Sequence, residues 1–234
     1  VWKRRAAGKT FTFRLAGINN QNFIMRDEET GSYWQQASGL AISGPMRGAR
    51  LKLAPYDELS FGLWKSEAPQ GMVLAPVAAY ASQYVSKDWE AEVGSYPSVV
   101  SVAGTTLGAR EVVIGVNIDG AARAYPLEKV VQQSVIQDRL GSTPVLLVVG
   151  PDGVSVRVFA SRVPPEQSAV EFFRSTSAAP AWELIDSGRG SRWNFQGCAT
   201  SGPAQGTCLQ QLPYLKDYWF DWHLYHPESN VYSR

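Results

Sequence analysis

The stretch Gly39-Leu40-Ala41-Ile42-Ser43-Gly44-Pro45-Met46-Arg47-Gly48 returns 158 positions later as Gly197-Cys198-Ala199-Thr200-Ser201-Gly202-Pro203-Ala204-Gln205-Gly206. The agreement runs on. Leu51 falls on Leu209, Pro55-Tyr56 on Pro213-Tyr214, Trp64 on Trp222 and Pro69 on Pro227. Residues 39–69 hold 11 identities in 31 ungapped positions, where chance gives roughly two. A one-residue shift extends the match upstream and sets Gly31-Ser32-Tyr33-Trp34 on Gly190-Ser191-Arg192-Trp193. We read this as an internal duplication, which governs the architecture.

Both copies have the same local logic. A strand carrying Trp34 or Trp193 enters. The next strand ends at Ser-Gly-Pro, where Gly44-Pro45 or Gly202-Pro203 supplies the turn and Gly48 or Gly206 closes it. A short strand leads back to the Pro-Tyr step. An aromatic segment follows, at 59–64 or 218–222, with apolar residues three and four apart. That spacing predicts a short helix with one buried face, bearing Trp64 or Trp222 and stopped by Pro69 or Pro227.

Outward from the repeat, residues 1–5 predict a strand, 6–9 a turn and 10–15 a returning strand. Asp119-Gly120 is a hairpin signal between strands at 111–118 and 121–125. Pro126 opens a predicted helix that runs to Leu140 and is capped by Gly141. Strands are expected at 145–149 and 154–159, around a turn at 151–153. The chain divides into a first repeat at 1–76, a connector at 77–108 and a second repeat at 109–234. Residues 160–190 read as an insertion of helical and loop character. The expected fold is mainly β with a few short helices (α+β), as two tandem pseudo-symmetric repeats packed as one unit. The first repeat lacks a counterpart of the opening strand and helix of the second. It would expose a sheet edge that an upstream segment or an unknown protein partner covers.

The chain has 234 residues, with 22 Lys and Arg against 21 Asp and Glu, a net charge of +1. This balance argues against disorder and gives no overall basic excess for nucleic acid. No apolar run approaches the roughly 18 residues of a membrane-spanning helix. Two Cys and two His leave little room for a metal cluster.

Cys198 and Cys208 flank the second Gly-Pro turn, where paired strands would set them opposite each other. They fit a cross-strand disulfide and an oxidising, extracytoplasmic compartment. Two free thiols or a catalytic dithiol are the other readings; the spacing is not Cys-x-x-Cys and no Lys or His is near in sequence. His223 and His226, three apart, are a weak metal pair to which Asp217, Asp221 and Glu228 add only speculatively. Asp27-Glu28-Glu29 reads as a charged turn, with no matching acid at Ser187-Gly188-Arg189. Asn19-Asn20-Gln21-Asn22 reads as a structured turn and the aromatics of 218–225 as core. No phosphate-binding glycine fingerprint, nucleophile elbow or cofactor motif is readable.

Three segments carry a resemblance: 111–127, ending Ala124-Tyr125-Pro126-Leu127; 26–34 continued by 41–51; and Trp219-Phe220-Asp221-Trp222 with His226-Pro227. Together they resemble the uncharacterised bacterial and archaeal family called domain of unknown function 3179, some of whose members are selenoproteins. That family's Cys-Pro-x-Cys-Gly motif would lie upstream of Val1. In the second repeat the equivalent place, 148–153, has no sulfur, and Val131-Gln132-Gln133-Ser134 replaces the family's Trp-His-Glu stretch. The resemblance implies a thiol- or selenol-dependent redox protein whose nucleophile precedes Val1, with an in-frame stop codon upstream if it is selenocysteine. The residues present favour a non-catalytic extracytoplasmic binding, structural or assembly module without a cofactor.

Overall fold

The computed structural model describes residues 1–102, 106–165, 168–175 and 182–233. The chain is mainly β. The first segment holds β1 (Trp2–Lys3), β2 (Arg5–Ala6), β3 (Lys9–Thr10), β4 (Phe13–Asn19), β5 (Asn22–Asp27), β6 (Tyr33–Gln35), β7 (Ala41–Ser43), β8 (Lys52–Leu53) and helix α1 (Phe61–Glu67). A 3-10 turn at Ala78–Gln83 and helix α2 (Trp89–Gly94) lie in the connector. The second segment opens with β9 (Val112–Ile118), β10 (Ala121–Pro126), α3 (Leu127–Gln133), β11 (Val135–Leu140) and β12 (Thr143–Val149). It continues through β13 (Val156–Ala160), β14 (Phe172–Arg174), β15 (Leu184–Asp186), β16 (Arg192–Trp193) and β17 (Ala199–Ser201). It ends with β18 (Leu215–Tyr218), α4 (Trp219–Tyr225) and β19 (Asn230–Val231).

Two four-stranded sheets, β4-β5-β6-β7 and β14-β15-β16-β17, carry the same ladder. Phe13 faces Asp27 as Phe172 faces Asp186, and Met25 faces Trp34 as Leu184 faces Trp193. Both ladders shift register beside the Trp, at Tyr33/Trp34 and at Arg192/Trp193. The turns match too. Gly44 and Gly202 have φ of 88° and 87°, where a side chain is strained. A Cβ on either would lie 2.7 Å from the Cα of Ser32 or Ser191. The Ser32 and Ser191 hydroxyls each accept a backbone N–H from beyond the turn, of Met46 and Ala204.

The two sheets differ in what covers them. Phe172, Leu184 and Trp193 pack against Leu146 and Val148 of β12 and Phe159 of β13. In the first segment Phe13, Met25 and Trp34 share a smaller core with Trp2 of β1, Phe11, Ala41 and Leu51. Among the described residues no strand of the first segment stands where β12 stands. β13 pairs with β12, whereas β1 pairs with β8 alone among the described residues. Leu15, Ile18 and Phe23 of β4 and β5 are left exposed.

Two expectations from sequence are corrected. Residues 126–140 are not one helix. α3 stops at Gln133, Ser134 takes a φ of 63°, and 135–140 pair with β12 from Val135↔Val148 to Leu140↔Thr143. The alternation that buries Ile136 and Leu140 next to a free β12 edge outweighs helix propensity. Gly141 therefore serves a hairpin turn rather than a helix cap. Residues 160–190 are not helical where described. They hold β14, β15 and the bridge Arg162↔Ala169, which repeats the pairing Arg5↔Thr10 of the first segment.

Candidate functional site

α4 is amphipathic in a way that explains its burial. Trp219 and Trp222 pack on β9 and β10, and Gly115 of β9 admits the Trp222 indole. A Cβ at Gly115 would lie 2.1 Å from the ring. Among these aromatics sits a carboxylate, Asp221, only 6% exposed. Its Oδ2 accepts a hydrogen bond of 2.6 Å from Asn22 Nδ2, at the start of β5 in the other segment. Asn22 is fixed in turn, because its Oδ1 accepts the Ala37 N–H.

The Asp221 carboxyl also meets that of Asp217 on β18. Burial, and then the charge of Asp221, push Asp217 up to about 8. Burial also raises Asp221. The Tyr225 hydroxyl, one turn further along α4, is raised by burial and by both carboxylates. It, His223 Nδ1 and Asp221 Oδ1 are buried without a hydrogen-bond partner among the described residues. Burying two neighbouring carboxyls disfavours ionising both. The first segment places Leu59 and Leu63 at the positions of Asp217 and Asp221. The fold therefore accepts aliphatic side chains there, and the acid pair is an addition to it.

A second polar cluster ties the segments together. Arg157 of β13 is buried and forked between two carboxylates. Its Nε and Nη2 reach Asp57 at 2.9 and 2.7 Å, and its Nη1 and Nη2 reach Glu67 at 2.9 and 2.7 Å. Its guanidinium lies over Phe195. The cluster floors an open groove of about 740 Å³ whose wall includes Phe61, Trp64 and Gln196.

The residues singled out from sequence fall as follows. Cys198 and Cys208 face each other as a bridge and form a disulfide. Their counterparts Leu40 and Arg50 make the same bridge without sulfur. Trp34 and Trp193 are fully buried, and each indole N–H donates to a carboxylate seven residues earlier, Asp27 Oδ2 at 2.7 Å and Asp186 Oδ2 at 2.9 Å. The charged turn is present at 28–30, but Asp27 at its start belongs to a buried network, and Asp186 is its matching acid. Burial alone would raise both, but hydrogen bonds from the Trp, from Thr30 or Ser191 and from nearby backbone N–H groups hold them below the usual carboxylate range. Carrying the Gly31/Gly190 alignment four residues further upstream would have paired them.

Gly48 and Gly206 close their turns at φ of 88° and 84°, after Pro45 and Pro203. Trp64 and Trp222 part company: Trp222 is buried, while Trp64 is half-buried beside Gly71. His223 and His226 do not converge. His223 stacks on Trp219, His226 lies tilted against Trp222, and His226 Nδ1 lies 3.2 Å from Asn117 Nδ2. Among the described residues no group of three His, Cys, Asp or Glu gives them further metal ligands. No helix there is long and apolar enough to cross a membrane.

The family model described as protein of unknown function (DUF3179) matches residues 1–229, so the chain belongs to that family. No curated protein and no solved structure matches it.

Proposed function

We propose that this member of the DUF3179 family is a non-catalytic extracytoplasmic assembly module, built of two duplicated units, whose first unit accepts strands from outside these residues. One observation carries the reading. The first sheet has the inward residues and the ladder of the second, but among the described residues β1 has no strand where β13 has β12. The fitting occupant is a segment of the same polypeptide ahead of Val1, with branched aliphatics where β12 places Leu146 and Val148. Burying two such side chains contributes about 3–6 kcal/mol. The Cys198–Cys208 disulfide supports an oxidising compartment.

A graft tests it. Residues 109–157 are placed directly ahead of Val1, since Val1 stands to β8 as Val158 stands to the strand after Cys208. Arg157→Val is made in the graft, because Asp57 and Glu67 are already engaged. The grafted chain should melt as one unit at a higher temperature than the chain alone. A graft that stays protease-sensitive and leaves the melting temperature unchanged would refute the reading. Both cysteines of the chain are in the disulfide. A native protein heavier than 25.7 kDa that carries an upstream Cys or selenocysteine and reduces disulfides would favour the redox reading instead.

A further inference from the structure

The two Pro-Tyr steps meet, and each tyrosine reads the other segment. The Tyr56 and Tyr214 rings stack, with centroids 5.5 Å apart and planes at 20°. The Glu58 N–H donates to the Tyr214 hydroxyl at 3.4 Å, and the Lys216 N–H meets the Tyr56 hydroxyl in return. A hydroxyl that accepts one bond still has its own proton to donate. Tyr214 donates it to the Val156 carbonyl of β13 at 2.9 Å. Tyr56 makes no such donation among the described residues. Tyr214 is accordingly 1% exposed, whereas Tyr56 is half-buried. Burial, and then the charge of Glu58, push the Tyr56 phenol up to about 12, so it keeps that proton at neutral pH.

The place of the missing acceptor follows from the matched ladders. Val158 O accepts the Leu212 N–H, and Val1 O accepts the N–H of Ala54, the residue that the repeat sets on Leu212. Val1 therefore holds the place of Val158, which is fully buried where Val1 is 64% exposed. Val156 lies two residues before Val158 and matches the position two residues ahead of Val1. The other contacts that fasten β13 and the turn before it are not repeated. Ser155 Oγ accepts the Ser60 N–H, but Tyr218, the counterpart of Ser60, donates its N–H to Asp217 Oδ1 at 2.8 Å. Asp57 and Glu67 hold Arg157, but Leu215 and Tyr225 are their counterparts. Of these contacts the tyrosine bond is the one left open.

We infer that the Tyr56 hydroxyl anchors the strand entering ahead of Val1, by donating to the backbone carbonyl two residues before Val1. This rests on the proposed function and fixes the register in which the incoming segment sits. A main-chain acceptor makes the anchor indifferent to the side chain at that position.

The test is Tyr56→Phe in the chain alone and in the chain carrying residues 109–157 ahead of Val1, read by urea unfolding. In the chain alone the variant removes only the acceptor of the Lys216 N–H. With the graft it also removes the bond to the grafted Val156 carbonyl, and the folding equilibrium should fall by about a further fivefold. Tyr214→Phe breaks a bond that both chains make and should cost the same in each. If the graft raises the melting temperature but Tyr56→Phe costs the same in both chains, the anchor is overturned and the proposed function stands. An added cost of the same size for Tyr214→Phe in the grafted chain would overturn the anchor too. A graft that leaves the melting temperature unchanged would refute the proposed function and the anchor with it.

Discussion

Replacing Asp217 with asparagine should stabilise the protein, and the gain should grow with pH. The ordinary carboxylate value of 3.8 is raised to about 8 at this position, by burial first and by Asp221 second. Between those values the folded chain keeps a proton that the unfolded chain has released. The contribution of Asp217 is therefore fully present below about pH 4 and is lost as pH rises towards about 8. At about 1.4 kcal/mol per pH unit, the loss near pH 7 is about 4 kcal/mol. Relaxation and water entry make about 2 kcal/mol a fair expectation, or roughly 4–8 °C in melting temperature.

Asp217→Asn keeps the shape and can still donate a hydrogen bond to Asp221. Urea unfolding of parent and variant, from about pH 4 to about pH 8, reads the difference. His226 is lowered by burial and then by Arg50, so it weakens the parent on the acid side. It does so equally in the variant and cancels. A difference that stays flat with pH, or a variant less stable near pH 7, would refute the raised Asp217 carboxyl.

Two further outcomes follow from single contacts. Reducing the disulfide releases a loop of sequence separation 10 and should cost about 2–3 kcal/mol in urea unfolding. The strand pairing should survive, because Leu40 and Arg50 make the same bridge without it; loss of far-ultraviolet signal on reduction would contradict this. Gly115→Ala should cost at least about 2 kcal/mol and change the near-ultraviolet dichroism, because its Cβ would enter the Trp222 ring. An unchanged spectrum would mean that α4 does not sit on β9 as described.

What could be read from the chain beforehand was whatever its own short-range chemistry fixes. The Gly-Pro turns located both sheets because only particular residues accept those backbone angles. Asp119-Gly120 located the β9–β10 hairpin for the same reason, with φ of 50° and 89°. The apparent helix at 126–140 failed because the decisive partner, β12, acts through tertiary pairing, and a Val- and Ile-rich run fits either periodicity. The candidate site was hidden by distance. Asn22 lies 199 residues from Asp221, and Arg157 lies 100 and 90 from Asp57 and Glu67. No local pattern announces such pairs. The repeat offered one usable signal, since aspartates at 217 and 221 in place of Leu59 and Leu63 mark a buried position where the fold has no need of charge.

The most direct measurement is hydrogen exchange on the two matched regions, in the chain alone and in the chain carrying the graft. In the chain alone, the amides of β1 and β4 should exchange far faster than those of β13, which pairs with β12. With the graft in place, β1 and β4 should become protected to a similar degree. Equal protection of β1 and β13 in the ungrafted chain would contradict an uncovered first unit.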